Sequence, residues 1–265
     1  MKLRPLPTPY PELNAVIQEL VESQQAILGD ELIGVYLQGS FAVGDFDQHS
    51  DVDFAFVIRE VLTDEQVDAL QAMHERTFNQ ACEWAKHLEG SYFPQVILRQ
   101  HADCSQQLWY LDNGHSYMSK SIHCNTVVVR WTLREFGIAL VGPPPESLID
   151  PIPVETLRLE IRETMRDWGK EILAEPERFN NRFYQSFIVL SYCRMLHSLE
   201  IGNVGSKRAG AEWAKSNLDL AWIDLIDRTW DGRPNPALSV RTPADAKYFA
   251  RTLEFVRFCV RVSEQ

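Results

Sequence analysis

No run of about 18 apolar residues occurs anywhere in the 265-residue chain, so no segment reads as a membrane-spanning helix. Cysteine is sparse. Cys82, Cys104, Cys124, Cys193 and Cys259 are scattered, odd in number and free of any Cys-x-x-Cys pair, which speaks against a disulfide framework and against a zinc site. The histidines, among them His49, His87, His115 and His123, show no i, i+4 pairing, and none is assigned to a metal. Positive charge is also short: 26 Lys and Arg face 37 Asp and Glu, a net charge of −11. A chain of that balance lacks the clustered cations needed to track a nucleic-acid backbone. The opening segment, MKLRPLPTPYPELN, is interrupted by prolines and has no apolar h-region, so no secretory signal is read there and cytoplasmic residence is expected.

What is present is ordinary globular material, 45% hydrophobic and 24% charged. The segment GPPPESLIDPIP, residues 142–153, carries five prolines in twelve residues and can continue neither a helix nor a central strand. A boundary is placed there, giving domains 1–152 and 153–265. The acid excess lies on one side of it. Nine basic and 21 acidic residues lie up to Ile152, net −12, against 17 basic and 16 acidic from Pro153 onward, net +1.

Before the boundary, strand and helix patterns alternate. Leu13, Val16, Ile17, Leu20 and Ile27 line one face of a helix over Pro11–Leu28, with Gly29 as its left-handed cap. Ile33–Leu37 and Val52–Ile58 read as strands flanking a turn, GSFAVGDFD. Thr63 with Gln66 is a capping box opening a helix that carries Val67, Leu70, Phe78 and Ala81. A third strand is expected around Leu88–Leu98. After the boundary only helical spacing is found. Leu157, Ile161, Met165, Trp168 and Ile172 share a stripe, Phe183–Leu199 is apolar nearly all round and suits a bundle centre, Ser206 caps a third helix, and Thr242-Pro243 opens the last. The expected class is α+β: a small mixed sheet with helices, then an all-α bundle of about five helices.

One constellation carries chemistry. A strand ends at Gly39-Ser40, where glycine permits a tight turn and a close backbone approach, leaving amides and a hydroxyl suited to phosphate. Asp51 and Asp53 follow, two apart on a strand and therefore on one face. Paired carboxylates repel unless a cation joins them, and hard oxygen donors suit Mg²⁺ held jointly with substrate phosphates. The pattern points to metal-assisted phosphoryl or nucleotidyl transfer.

Gly-Ser followed by Asp-x-Asp on the next strand resembles the signature of the DNA polymerase β-type nucleotidyltransferase superfamily. LQGSFAVGDFDQHSDVDFAFVI, VVRWTLREFGIALVGPPPESLIDP and LSYCRMLHSLEIGNVGSKRAGAEWA are similar to the two-domain aminoglycoside adenylyltransferases, the streptomycin/spectinomycin type in particular. The resemblance implies that 1–152 is a nucleotidyltransferase catalytic domain and 153–265 a helical substrate- and nucleotide-binding domain. It further implies transfer of AMP from ATP, with two Mg²⁺ as the expected cofactor, to a hydroxyl of a small cationic acceptor by a monomeric enzyme. Asp51, Asp53 and Glu89 would hold metal, Glu89 doubling as the base with Glu83 as fallback. Gly39, Ser40, Arg194 and Lys207 would hold the triphosphate, and Trp109 and Asp112 the acceptor. The family's acidic residues near the start of the central helix of the second domain correspond here to PERFNNRFYQSFIV, where Glu177 is followed by Asn180, Asn181, Tyr184 and Gln185. Two alternatives stay open on the residues alone: a protein side chain or RNA end as acceptor, and a nucleotide-binding protein without catalysis.

Overall fold

The computed structural model describes residues 8–48, 50–233 and 242–264, and its contacts divide the chain into two compact units between Ile152 and Pro153. Helix α1 (Pro11–Leu28) begins with Pro at its first position, where the missing N–H is no loss, and buries Leu13, Val16, Ile17, Leu20, Val21 and Leu28. Gly29 takes φ 53 with ψ −125, a glycine-only region distinct from the left-handed cap the sequence suggests. Strand β1 (Leu32–Leu37) follows.

Gly39 to Val43 fold as a short helix, α2, where the sequence suggests an open turn; Gly39 has φ 59. Strand β2 (Val52–Ile58) is buried everywhere but at its second residue, Asp53. Helix α3 (Asp64–Phe78) opens on the capping box, Thr63 accepting from the Gln66 amide and the Gln66 side chain accepting from the Thr63 amide. It ends at Phe78, short of Ala81.

Strand β3 (Leu88–Pro94) ends earlier than the apolar run suggests, because Pro94 cannot donate to the ladder, and Gln95–Arg99 turn into a short helix, α4. Four further elements are unmarked by strong periodicity: β4 (Leu108–Leu111), β5 (Met118–Ser121), α5 (Val127–Phe136) and β6 (Ile138–Val141).

The strands form one six-stranded sheet in the order β5-β4-β3-β2-β1-β6. Only β2 and β3 run parallel, joined by the crossover through α3; the other four pairs are antiparallel. Phe54, Phe56 and Ile58 of β2 pack with Leu88, Tyr92, Leu111 and Met118 and with the apolar stripes of α1 and α3 in one core. Arg130 of α5 is fully buried; its guanidinium donates to the carbonyls of Ile97, Leu98 and Thr126 and to Asn125 Oδ1, stitching the ends of α4 and α5 together.

The second unit is helical: α6 (Val154–Ala174), α7 (Arg182–Ile201), α8 (Lys207–Asn217), α9 (Ile223–Asp231) and α10 (Ala246–Ser263). Helix α7 packs against the other four, which its all-round apolar surface requires. Asn181 caps α7 and Ser206 caps α8 through side-chain oxygens. The last helix starts at Ala246, capped by Asp245, rather than at Thr242-Pro243, because Asp245 Oδ1 accepts from the amides of Lys247 and Tyr248. Among the described residues no helix is long and apolar enough to cross a membrane.

Candidate active site

The parallel register pairs Val52 with Leu88, Asp53 with Glu89 and Phe54 with Gly90. Laterally paired residues of adjacent strands project to the same side of a sheet. Asp53 and Glu89 are therefore neighbours on one face, and each is the half-buried second residue of a strand otherwise buried throughout. Asp51 stands just before β2, two residues from Asp53. Gly39 lies against this pair: a Cβ there would strike the Asp53 carboxylate, so only glycine allows the α2 start to come this close. The Gln38 amide donates to the Asp53 carbonyl at 2.9 Å, tying the end of β1 to the start of β2. Ser40 follows, its hydroxyl oxygen buried and without a hydrogen-bond partner among the described residues. A buried hydroxyl in that state has bonding capacity for a ligand oxygen.

Glu89 is held from the next strand. The Tyr110 hydroxyl stands 2.7 Å from Glu89 Oε1 and 2.9 Å from Asp112 Oδ1. Burial, and then the Glu89 charge beside it, push the Tyr110 pKa far above the tyrosine range, so the phenol stays protonated and donates. His123 Nε2 lies 3.5 Å from Glu89 Oε1, and the Cys124 thiol, its pKa raised by burial and by Glu89, sits behind. Glu89 is 15% exposed. Beside it opens a cleft of about 330 Å³ lined by Tyr110, Asp112, His115, Tyr117, Ser119 and His123.

Asp112 thus joins Glu89 and Asp53 on one face. Trp109 does not. It projects from the other face of β4 and packs against the core, with the Lys120 ammonium over its ring at 5.5 Å, so the aromatic beside Glu89 is Tyr110. Glu83, the fallback base, lies in a surface turn with its side chain 79% exposed. His49 falls outside the described residues.

Among the described residues no three Asp, Glu, His or Cys side chains form a metal cage by themselves. The donor set nevertheless fits Mg²⁺, which takes one or two carboxylates and completes its shell with water and phosphate oxygens.

In the second unit, Phe187 and Arg194 lie two turns apart on one face of α7. The Lys207 ammonium, at the start of α8, sits over the Phe187 ring at 5.0 Å. A Cβ on Gly210 would come 2.5 Å from Arg194 Cα, so this glycine lets α8 press against α7 beside Arg194. Arg194 and Lys207 are thereby gathered along one helix seam.

Comparison with known proteins finds relatives of one kind. Residues 147–251 match the model of the family described as aminoglycoside adenylyltransferase, C-terminal domain. The chain is 24% identical over 227 residues to an aminoglycoside (3'') (9) adenylyltransferase of Shigella flexneri, covering 81% of this chain and 83% of that one. It is similar to the aminoglycoside adenylyltransferases. A spectinomycin 9-adenylyltransferase of Staphylococcus aureus is 22% identical over 233 residues, covering 81% and 82%. The same fold is found in the crystal structure of a spectinomycin adenyltransferase from Enterococcus faecialis with ATP and spectinomycin, at a TM-score of 0.67, 15% identity, and coverage of 93% of this chain and 98% of that one.

Sequence reasoning passed over Tyr110, Asn113 and His123. The dipeptide Asn113-Gly114, between LWYL and MSKS, is a turn signal that marks the β4–β5 connection; with β4 in place, alternation puts Tyr110 on the Asp112 side.

Proposed function

We propose that this chain is an ATP-dependent O-adenylyltransferase that moves AMP to a hydroxyl of an aminoglycoside- or spectinomycin-like acceptor, with release of pyrophosphate. The observation that carries the reading is the lateral pairing of Asp53 with Glu89 beside Gly39-Ser40. Asp51 and Asp53 supply hard oxygens to Mg²⁺, which when bound neutralises phosphate charge and makes the α-phosphorus more electrophilic. Ser40 offers its hydroxyl to a phosphate oxygen. Glu89 accepts the proton of the attacking hydroxyl, one strand from Asp53 and in contact with Tyr110 and His123, which line the neighbouring cleft. Tyr110 holds the Glu89 carboxylate in place.

The activities in the names of the relatives support the acceptor class. The test is mass spectrometry of streptomycin and spectinomycin after incubation with the protein, ATP and Mg²⁺. Addition of one adenylyl group to either supports the reading, and unchanged masses with both count against the acceptor.

A further inference from the structure

The loop between β4 and β5 crosses the ends of β3 and β2, and one side chain in it reaches Asp51. The amide nitrogen of Asn113 donates to Asp51 Oδ1 at 2.5 Å. The other end of the same amide is also held, the His87 Nδ1–H donating to Asn113 Oδ1 at 3.1 Å. The backbone anchors the turn independently, since the Gly114 amide donates to the Lys86 carbonyl at 3.0 Å and Gly114 takes φ 80. His87 is in turn fixed on β2, its carbonyl accepting from the Val52 amide at 2.8 Å, and its Nε2 faces Glu83 Oε1 at 3.5 Å. Asn113 is therefore clamped on both ends of its amide, with its donor aimed at a single carboxylate oxygen.

The terminal torsion of an aspartate is broad, and each hydrogen bond to its carboxylate narrows the range from which a cation site must be assembled. A neutral donor does so without competing for the cation's charge, which an arginine or lysine in the same place would do. We propose that Asn113 is a positioning residue: it fixes the Asp51 carboxylate so that Asp51 and Asp53 present a preorganised pair of oxygens to a divalent cation. This rests on the reading of Asp51 and Asp53 as cation ligands. Partners of this kind around metal ligands are worth about 10- to 100-fold in affinity.

The test is a Mn²⁺ titration in the presence of ATP, free Mn²⁺ being followed by electron paramagnetic resonance against the same titration without protein, on the wild type and on Asn113→Ala, Asn113→Leu and Asp51→Asn, with circular dichroism to check each fold. Asn113→Leu keeps the approximate shape, adds no charge and removes the donor. The expected result is Mn²⁺ affinity lowered about tenfold or more in both Asn113 variants, and a rise of similar size in the Mg²⁺ concentration for half-maximal turnover, with kcat at saturating Mg²⁺ within a few fold of wild type. Should one Asn113 variant fail to fold, the other decides. Wild-type Mn²⁺ affinity in a folded Asn113 variant while Asp51→Asn loses it overturns the positioning role alone. Wild-type affinity in Asp51→Asn overturns the reading of the carboxylates on which it rests. A fall in kcat at every Mg²⁺ concentration with affinity unchanged also rejects it.

Discussion

Asp53 and Glu89 are direct register partners across the single parallel pair of the sheet, and both are the half-buried second residue of a strand whose other residues are buried. Adjacent strands stand about 4.8 Å apart, so two carboxylates are placed side by side with apolar residues before and after them. Like charges so close in a partly desolvated setting are costly unless a cation or a proton lies between them. Under the proposed function a cation would offset that repulsion, and Glu89 would act as the base from the strand next to Asp53.

Replacement of Glu89 by Gln separates binding from chemistry. The amide keeps the size and the contact with Tyr110 and loses the ability to accept a proton. Turnover is expected to fall about 10²- to 10⁴-fold. ATP affinity, measured by calorimetry without acceptor, is expected to stay within a few fold of wild type.

Gly39→Ala tests the close approach of α2 to the carboxylates. The new methyl meets the Asp53 carboxylate, and the backbone sits at φ 59, where alanine costs about 1–2 kcal/mol. Loss of activity with a lowered melting temperature is expected, whereas Ser40→Ala should leave stability unchanged and raise KM for ATP by about tenfold, the worth of one hydrogen bond.

His74 gives the first unit a pH-dependent weakness away from the site. The imidazole is buried among Phe56 and Tyr92, its Nε2 lies in hydrogen-bond contact with the Tyr92 hydroxyl at 2.7 Å, and burial holds its pKa down to about 3. The unfolded chain takes up this proton near pH 6.5 and the folded chain not until about pH 3. Stability is therefore unaffected by this group above pH 6.5 and falls as pH drops through that window, by at most about 1.4 kcal/mol per pH unit. Urea unfolding at pH 7 and pH 5 should show a smaller pH-dependent loss for His74→Gln than for the wild type.

Arg130 is a structural counterpart. Its guanidinium is fully buried and satisfied mostly by main-chain carbonyls. Arg130→Met would remove the guanidinium donors from the carbonyls of Ile97 and Leu98, at about 1–3 kcal/mol each. Denaturant unfolding is expected to show a loss of several kcal/mol, and Arg130→Lys should not restore it, because an ammonium cannot reproduce the planar fork.

Elements with strong periodicity or explicit caps were legible in the sequence: α1, β2, α3 with its capping box, α6 and α8. Short elements were not. The four-residue strands β4, β5 and β6 offer too few alternations to be read, and β3 is cut short by Pro94 inside an apolar run that looks continuous. The same division holds at the site. Asp51 and Asp53 lie two apart in the chain, Asp53 on β2 and Asp51 just before it, so spacing alone brings them together at the start of the strand. Tyr110 and Asn113 depend on pairings set by β4 and its turn, and Trp109 and Tyr110 are told apart only by which face of that strand meets the core.

The central claim is that Asp51 and Asp53, at the start of β2, serve transfer of the adenylyl group of ATP to a hydroxylated acceptor. The most direct measurement is transfer of label from α-labelled ATP to streptomycin or spectinomycin in the presence of Mg²⁺, by the wild type and by Asp53→Asn, with equal folding checked by circular dichroism. Label should appear in the acceptor with the wild type and be reduced at least about a hundredfold with Asp53→Asn. Equal transfer by a folded Asp53→Asn, or no transfer by the wild type, would contradict the account.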